Sequence, residues 1–155
     1  LHRHNSRLRQ QDYLDALAQA GILPSNSLCE EGNYGRKSGY FAMQQLFARH
    51  PEITAVFSCS EEMTTGALQY LHEQGIAVPG QISIVSFDSV DLCESLYPTV
   101  TAVHFPISEM ARAAVQSLIA MVKQQPTVGP QSFRPILKKR HSDQPLSKIA
   151  ERQDS

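Results

Sequence analysis

Ile53-Thr54-Ala55-Val56-Phe57-Ser58-Cys59-Ser60-Glu61-Glu62-Met63-Thr64-Thr65-Gly66-Ala67-Leu68 decides how this chain is read. A short β-branched and aromatic run stops at a cluster of hydroxyl and acidic residues, after which Met63 and Ala67 share one helical face. The pattern is a buried strand, an N-cap at Ser60 and a helix. At such a turn the first backbone N–H groups of the helix have no partner, so in open α/β sheets ligands gather beyond the carboxyl ends of the strands. Function is expected there.

On the N-terminal side, Leu8, Tyr13, Leu14, Leu17 and Ala18 recur at helical spacing, giving a helix over about 7–20 that Gly21 ends in a left-handed turn. Pro24-Ser25-Asn26 is loop, and 27–34 reads as a short strand running into a Gly-Asn turn. A second helix opens near Ser38, turns Tyr40, Phe41, Met43, Leu46 and Phe47 inward, and is closed by His50-Pro51. On the C-terminal side, the helix carrying Leu68 and Leu71 ends at Gln74-Gly75, and a turn at Val78-Pro79-Gly80 precedes a buried strand over 81–88. A loop over 89–98 leads to the β-rich run Thr99 to Val103. Ile107, Met110, Ala111, Ala114, Val115, Leu118, Ile119 and Val122 then follow the i, i+3, i+4 rule in a helix over 106–124, with Ser108 or Pro106 at its start. Phe133-Arg134-Pro135-Ile136-Leu137 is a last strand, which its proline assigns to an edge. Strands alternating with helices give an α/β, doubly wound, mostly parallel sheet.

The chain has 155 residues, enough for one domain with a single core. With 14 Lys+Arg against 15 Asp+Glu, the net charge of −1 offers no basic excess to neutralise phosphates, so small molecules or other proteins are the expected partners. Cys29, Cys59 and Cys93 have no Cys-x-x-Cys spacing and read as reduced, structural residues, which fits the cytoplasm. No apolar run is long enough to span a membrane, and no export signal opens the sequence. It starts at Leu1 and so reads as a piece of a longer protein.

Several motifs, in order, resemble the effector-binding domain of the LacI/GalR family of bacterial transcriptional repressors. Arg9 with Asp12-Tyr13 is similar to the start of the family's first helix in its second subdomain, and Ser38-Gly39-Tyr40 to the opening of the next. Then follow Ala55-Val56-Phe57 with Ser60-Glu61-Glu62-Met63 and Gly66-Ala67-Leu68, Gly75 to Pro79, Ser83 to Asp88, and Pro98 with Thr99 to Val103. Phe133 to Leu137 with Arg140 and Ser142 resembles the closing Pro-x-Leu-x-x-Arg-x-Ser signature, which is more typical of the repressors than of periplasmic sugar receptors.

The resemblance implies a type I periplasmic-binding-protein-like fold, here the second subdomain plus a crossing helix, with 1–142 forming part of the sugar-binding domain; 143–155, polar and charged with only Leu146 and Ile149 apolar, reads from its composition as a disordered tail. The resemblance also implies a sugar or sugar phosphate as effector, a homodimer, no cofactor, and contact with operator DNA only through a helix-turn-helix domain outside this sequence. Arg9 falls on the arginine that clamps effector hydroxyls, Tyr34 on an aromatic that stacks on the sugar, Ser60 and Glu61 on the polar pair after the central strand, Asp88 on the aspartate after the next strand, and Phe105 on a crossover position lining the cleft. Glu61 stands where aspartate is usual, Ser86 where glycine is, and Ser89 where a second aspartate is common. The helix over 106–124 belongs, in the family, to the first subdomain, so its apolar stripe must repack, dimerise or stay exposed.

Each residue also has a plainer reading. Asp88 alone reads as a cap or turn, Tyr34 as a half-buried loop tyrosine, and Ser60 as an N-cap that doubles as a ligand contact. Glu61, Glu62 and Asp88 resemble paired catalytic carboxylates, yet no nucleophile, phosphate loop or metal spacing accompanies them, so no enzyme is expected. His2 and His4 form no metal site, and Lys138-Lys139-Arg140 reads as the solvated end of an edge strand. A periplasmic sugar-binding protein of the same fold is the alternative.

Overall fold

The computed structural model describes residues 2–87, 92–127 and 129–146. Three parallel strands, β1 (Ala55–Ser58), β2 (Ser83–Phe87) and β3 (Thr101–His104), lie in sequence order, and β4 (Ile136–Lys138) pairs antiparallel along the far edge of β3. Helices α1 (His2–Gln19), α2 (Arg36–Arg49), α3 (Glu61–Glu73), α4 (Leu92–Ser95) and α5 (Ile107–Val122) complete the chain. The α/β, mostly parallel sheet expected from the alternation is present. The Gly21 ending of α1 is also as read, with φ +74 and a backbone bond from Ile22 N to the Leu17 carbonyl.

Strand alternation divides the sheet into two unequal faces. Ile84 and Ala102, with Val56 beside them, point to one side and join Met43, Leu68, Tyr70 and Leu71 of α2 and α3 in the core. Phe57, Val85, Phe87 and Val103 point to the other side, where Tyr13 of α1 stacks on Phe57 at 6.3 Å and the strand residues are only half-buried. One face is sealed by two helices; the other carries α1 and stays partly open.

The sealed face depends on two glycines. A Cβ on Gly66 would lie 1.9 Å from the Arg36 carbonyl oxygen, and one on Gly39 would lie 2.1 Å from that of Met63. Backbone therefore meets backbone where α2 crosses α3, and the edge-to-face Tyr40 and Tyr70 rings, 5.5 Å apart, fill the widening gap.

Ser142 closes the opposite end of the sheet. Its fully buried Oγ accepts from Thr101 N at 2.9 Å and donates to the Ile84 carbonyl at 2.6 Å, while Ile84 N donates to its carbonyl. Ser142 is thus wedged between β2 and β3. Arg140 adds donations to the Val100 carbonyl at 2.6 Å and to Glu94 at 2.6 Å, and the latter holds the Glu94 carboxyl below its usual range.

Several expectations are corrected. Residues 27–34 form no strand: a 3₁₀ turn over Asn26–Leu28 uses the local backbone groups, and among the described residues no strand pairs with the rest. Phe41 faces outward, because consecutive helical residues point about 100° apart and Tyr40, Ala42 and Met43 take the inner side. Arg140 is not a solvated strand end, since the contacts above hold its side chain at 10% exposure. Nor does order stop at 142: Thr101 donates to Asp143, and Gln144 N donates to Ser83 Oγ at 3.1 Å. Residues 147–155 of the expected tail lie outside the described residues.

The stripe on α5 is exposed. No residue of this helix is buried, and Val115, Leu118 and Met121 are 55%, 60% and 65% accessible.

Replacing a helix-interior glycine by alanine ordinarily stabilises by about 1 kcal/mol. Gly66→Ala should reverse that sign, costing roughly 2–3 kcal/mol in urea denaturation because the clashing atom is backbone. Ser142→Ala should cost a similar amount, roughly 2–4 kcal/mol, by orphaning Thr101 N–H and the Ile84 carbonyl in the core. An unchanged midpoint in either variant would contradict the respective account.

Candidate functional site

Three strands ending side by side create the site. β1 stops at Ser58, β2 at Phe87 and β3 at His104, so Cys59-Ser60, Phe87 and Phe105 are delivered to one edge. Ser60 caps α3, its Oγ accepting from Met63 N at 3.2 Å, and it takes extended backbone as an N-cap requires.

Helix α1 reaches this edge through Arg9. Its Nη1 donates to the Cys59 carbonyl at 2.8 Å, and its guanidinium carbon lies 3.8 Å from the Phe87 ring centroid. A planar cation over an aromatic face is attracted by the ring quadrupole, and each contact leaves the other intact. Phe87 in turn meets Phe57 at 6.4 Å and Phe105 at 5.5 Å, which makes an aromatic floor. Around it Leu8, Arg9, Asp12, Phe87, Phe105, Ile107 and Met110 line a hollow of about 470 Å³. One cation, one carboxylate and an apolar floor suit a ligand with a hydroxylated edge and an apolar ring face.

Tyr34 and Ser60 flank the hollow without lining it. Tyr34 sits at φ +66, a conformation that costs a non-glycine residue about 1 kcal/mol. It is held by its hydroxyl against Ser6 Oγ of α1 at 2.6 Å and by its carbonyl, which accepts from Ser60 Oγ at 3.4 Å. Glu61 occupies the first turn of α3, where a negative charge complements the helix dipole. Asp88 lies outside the described residues.

Of the six residues singled out from the sequence, the structure therefore brings Arg9 and Phe105 into the hollow, sets Ser60 and Tyr34 together just beyond β1, and holds Glu61 in the first turn of α3. Sequence reasoning missed Phe87 as the platform for Arg9, and Asp12, Ile107 and Met110 as lining. Phe87 had a signal, since it precedes Asp88 in the same motif; the α5 residues had none beyond an apolar stripe. Among the described residues no group of His, Cys, Asp and Glu could hold a metal ion. Cys29, Cys59 and Cys93 are not joined in disulfides.

A profile of the periplasmic binding protein-like domain matches residues 2–142. The chain is 36% identical over 135 residues to the HTH-type transcriptional regulator GalR of Escherichia coli K12, covering 86% of this chain and 39% of that protein. With AscG, an HTH-type transcriptional regulator of the same strain, it shares 32% over 134 residues, 86% of this chain and 40% of the relative. The chain thus spans about 40% of the length of these curated relatives. Among solved structures, the E. coli transcriptional repressor ascG superposes with a TM-score of 0.77 at 32% identity, covering 84% of this chain and 47% of that one. A transcriptional regulator CelR–cellobiose complex superposes with a TM-score of 0.78 at 29% identity, covering 87% and 42%.

Burial raises the Cys59 thiol pKa, and the nearby Arg9 charge opposes this only in part. Cys59 should therefore alkylate with iodoacetamide more slowly in the folded chain than in urea at the same pH, and more slowly still in Arg9→Ala. Equal folded and unfolded rates would contradict the burial that the geometry shows.

Proposed function

The chain belongs to the periplasmic binding protein-like family, in the form found in LacI/GalR-type regulators, and from that membership we propose that it is the sugar-sensing, dimer-forming part of a DNA-binding transcriptional regulator. The observation that carries the reading is Arg9, braced by the Cys59 carbonyl and the Phe87 ring in a hollow whose lining is apolar apart from Arg9 and Asp12. A guanidinium fixed in this way points its remaining N–H donors in set directions, and vicinal hydroxyls of a sugar can accept from two of them. Phe87 and Phe105 offer flat apolar faces to the C–H side of the ring. Asp88, one residue beyond Phe87, completes the set as a hydroxyl acceptor on the strength of the family resemblance.

Tyr34, Ser60 and Glu61 serve the same ligand from the flank, or serve it indirectly by fixing the end of β1. The similar CelR regulator is found in complex with the disaccharide cellobiose, which supports a sugar over other small molecules. The hollow is walled from one side, and a second α/β unit closing over it supplies the allosteric step: effector binding changes the closure, and closure sets the spacing of DNA-binding heads in a homodimer. Operator contact is made by a separate N-terminal domain, for this chain has a net charge of −1. The relatives are transcriptional regulators rather than enzymes, and no helix among the described residues is long and apolar enough to cross a membrane. The cytoplasm is the compartment this role requires.

In the full-length regulator, Arg9→Ala should weaken effector binding by about tenfold to a hundredfold, the worth of one or two charge-assisted hydrogen bonds, and leave operator affinity without effector unchanged. Fluorescence anisotropy on operator DNA with and without sugar measures both. Unaltered induction would overturn the role of Arg9, and a sugar-turnover rate lost in the variant would replace the regulator with an enzyme.

A further inference from the structure

Ser86 stands where the resembling family has glycine, and the structure shows what its hydroxyl touches. Ser86 and Thr64 are both fully buried, and their hydroxyl oxygens lie 2.8 Å apart. Thr64 Oγ1 is also 2.8 Å from the Ser60 carbonyl oxygen. A hydroxyl carries one proton, so one member of the pair donates into the other while the second proton goes to a backbone carbonyl. Either arrangement ties the end of β2 to the first turn of α3. On the opposite side of the same edge, Arg9 ties β1 to β2 through the Cys59 carbonyl and the Phe87 ring. The contacts form a closed circuit: Ser86 to Thr64, Thr64 to Ser60, Ser60 to its neighbour Cys59, Cys59 to Arg9, Arg9 to Phe87, and Phe87 back to its neighbour Ser86.

We infer that Ser86 and Thr64 are positioning residues for the ligand hollow, holding Phe87 in register with Cys59 so that Arg9 is preorganised before a ligand arrives. The inference rests on the reading of the hollow as the effector wall. The physical reason is that one guanidinium must meet a ring on β2 and a carbonyl just beyond β1 at once, so the ends of these two paired strands have to keep their relative positions. The buried rung fixes them from the core side, where water cannot compete for either hydroxyl. A glycine at 86 would supply no such rung.

The test separates positioning from packing. In the unligated full chain, protons on Arg9 above the Phe87 face are shifted upfield by the ring current, and the Arg9 Nε–Hε NMR signal, assigned by its loss in Arg9→Lys, reports the stack. Thr64→Val keeps volume and loses the hydroxyl; Thr64→Ser keeps the hydroxyl and loses a methyl. The inference expects the upfield shift to collapse in Thr64→Val and in Ser86→Ala and to persist in Thr64→Ser, even though Thr64→Ser is the worse packed of the two at this site. A shift that survives Thr64→Val, or that is lost in Thr64→Ser in step with melting temperature, overturns it. No sugar is needed for this readout, so it stands or falls separately from the effector-binding reading, which the anisotropy measurement decides.

Discussion

The contact of Arg9 with the Cys59 carbonyl and the Phe87 ring is the constraint on which the site depends. Helix α1 brings few apolar side chains to the sheet: Tyr13, Leu14 and Leu17 are half-buried, and Leu8 is 51% exposed. Its seat at the carboxyl edge is therefore set by a polar anchor as much as by burial. Among the described residues the same guanidinium is the only cationic side chain lining the hollow. Docking the helix and meeting the ligand are thus one task, and anything that shifts the ends of β1 and β2 changes both.

The two faces of the sheet divide the labour. On one, α2 and α3 meet backbone to backbone at Gly39 and Gly66 over a core that includes the fully buried Leu71 and Ile84. Close-packed interiors deform little, so this half behaves as a rigid frame. On the other, Phe57, Phe87 and Phe105 form a half-covered aromatic surface, and α5 carries an apolar stripe out to solvent. A rigid frame with one partly covered apolar face suits a ligand wall better than a self-contained catalytic centre. Ser142, Arg140 and Gln144 lock the opposite end of the sheet, far from the hollow, so the closing signature seen in the sequence has a structural task.

Much of this was legible in the sequence. The strand, the Ser60 cap and the helix of the central stretch and the Gly21 ending all follow from local rules that tertiary contacts did not override; the last strand does lie at an edge, but it runs over Ile136–Lys138 and leaves out the proline on which that reading rested. Residues 27–34 were misread because alternation over so few positions cannot show whether a partner strand exists. Phe41 was misread because adjacent aromatics compete for one inward position, and only packing selects Tyr40. Gly39 and Gly66 were legible as motif residues, but their reason, a helix crossing, joins segments distant in sequence. In the site, Arg9 and Phe105 came from the family resemblance; Phe87 lies inside one of its motifs, but its role did not show there, since an aromatic at a strand end looks the same whether it supports a core or a cation.

The central claim is that this fold serves a regulator of transcription, and the coding DNA directly upstream of Leu1 tests it most directly. The account predicts an in-frame helix-turn-helix followed by a first α/β unit that supplies the other wall of the hollow and a partner for the stripe on α5. An export signal ahead of that unit would contradict it, and would make the chain part of a secreted sugar receptor built on the same sheet.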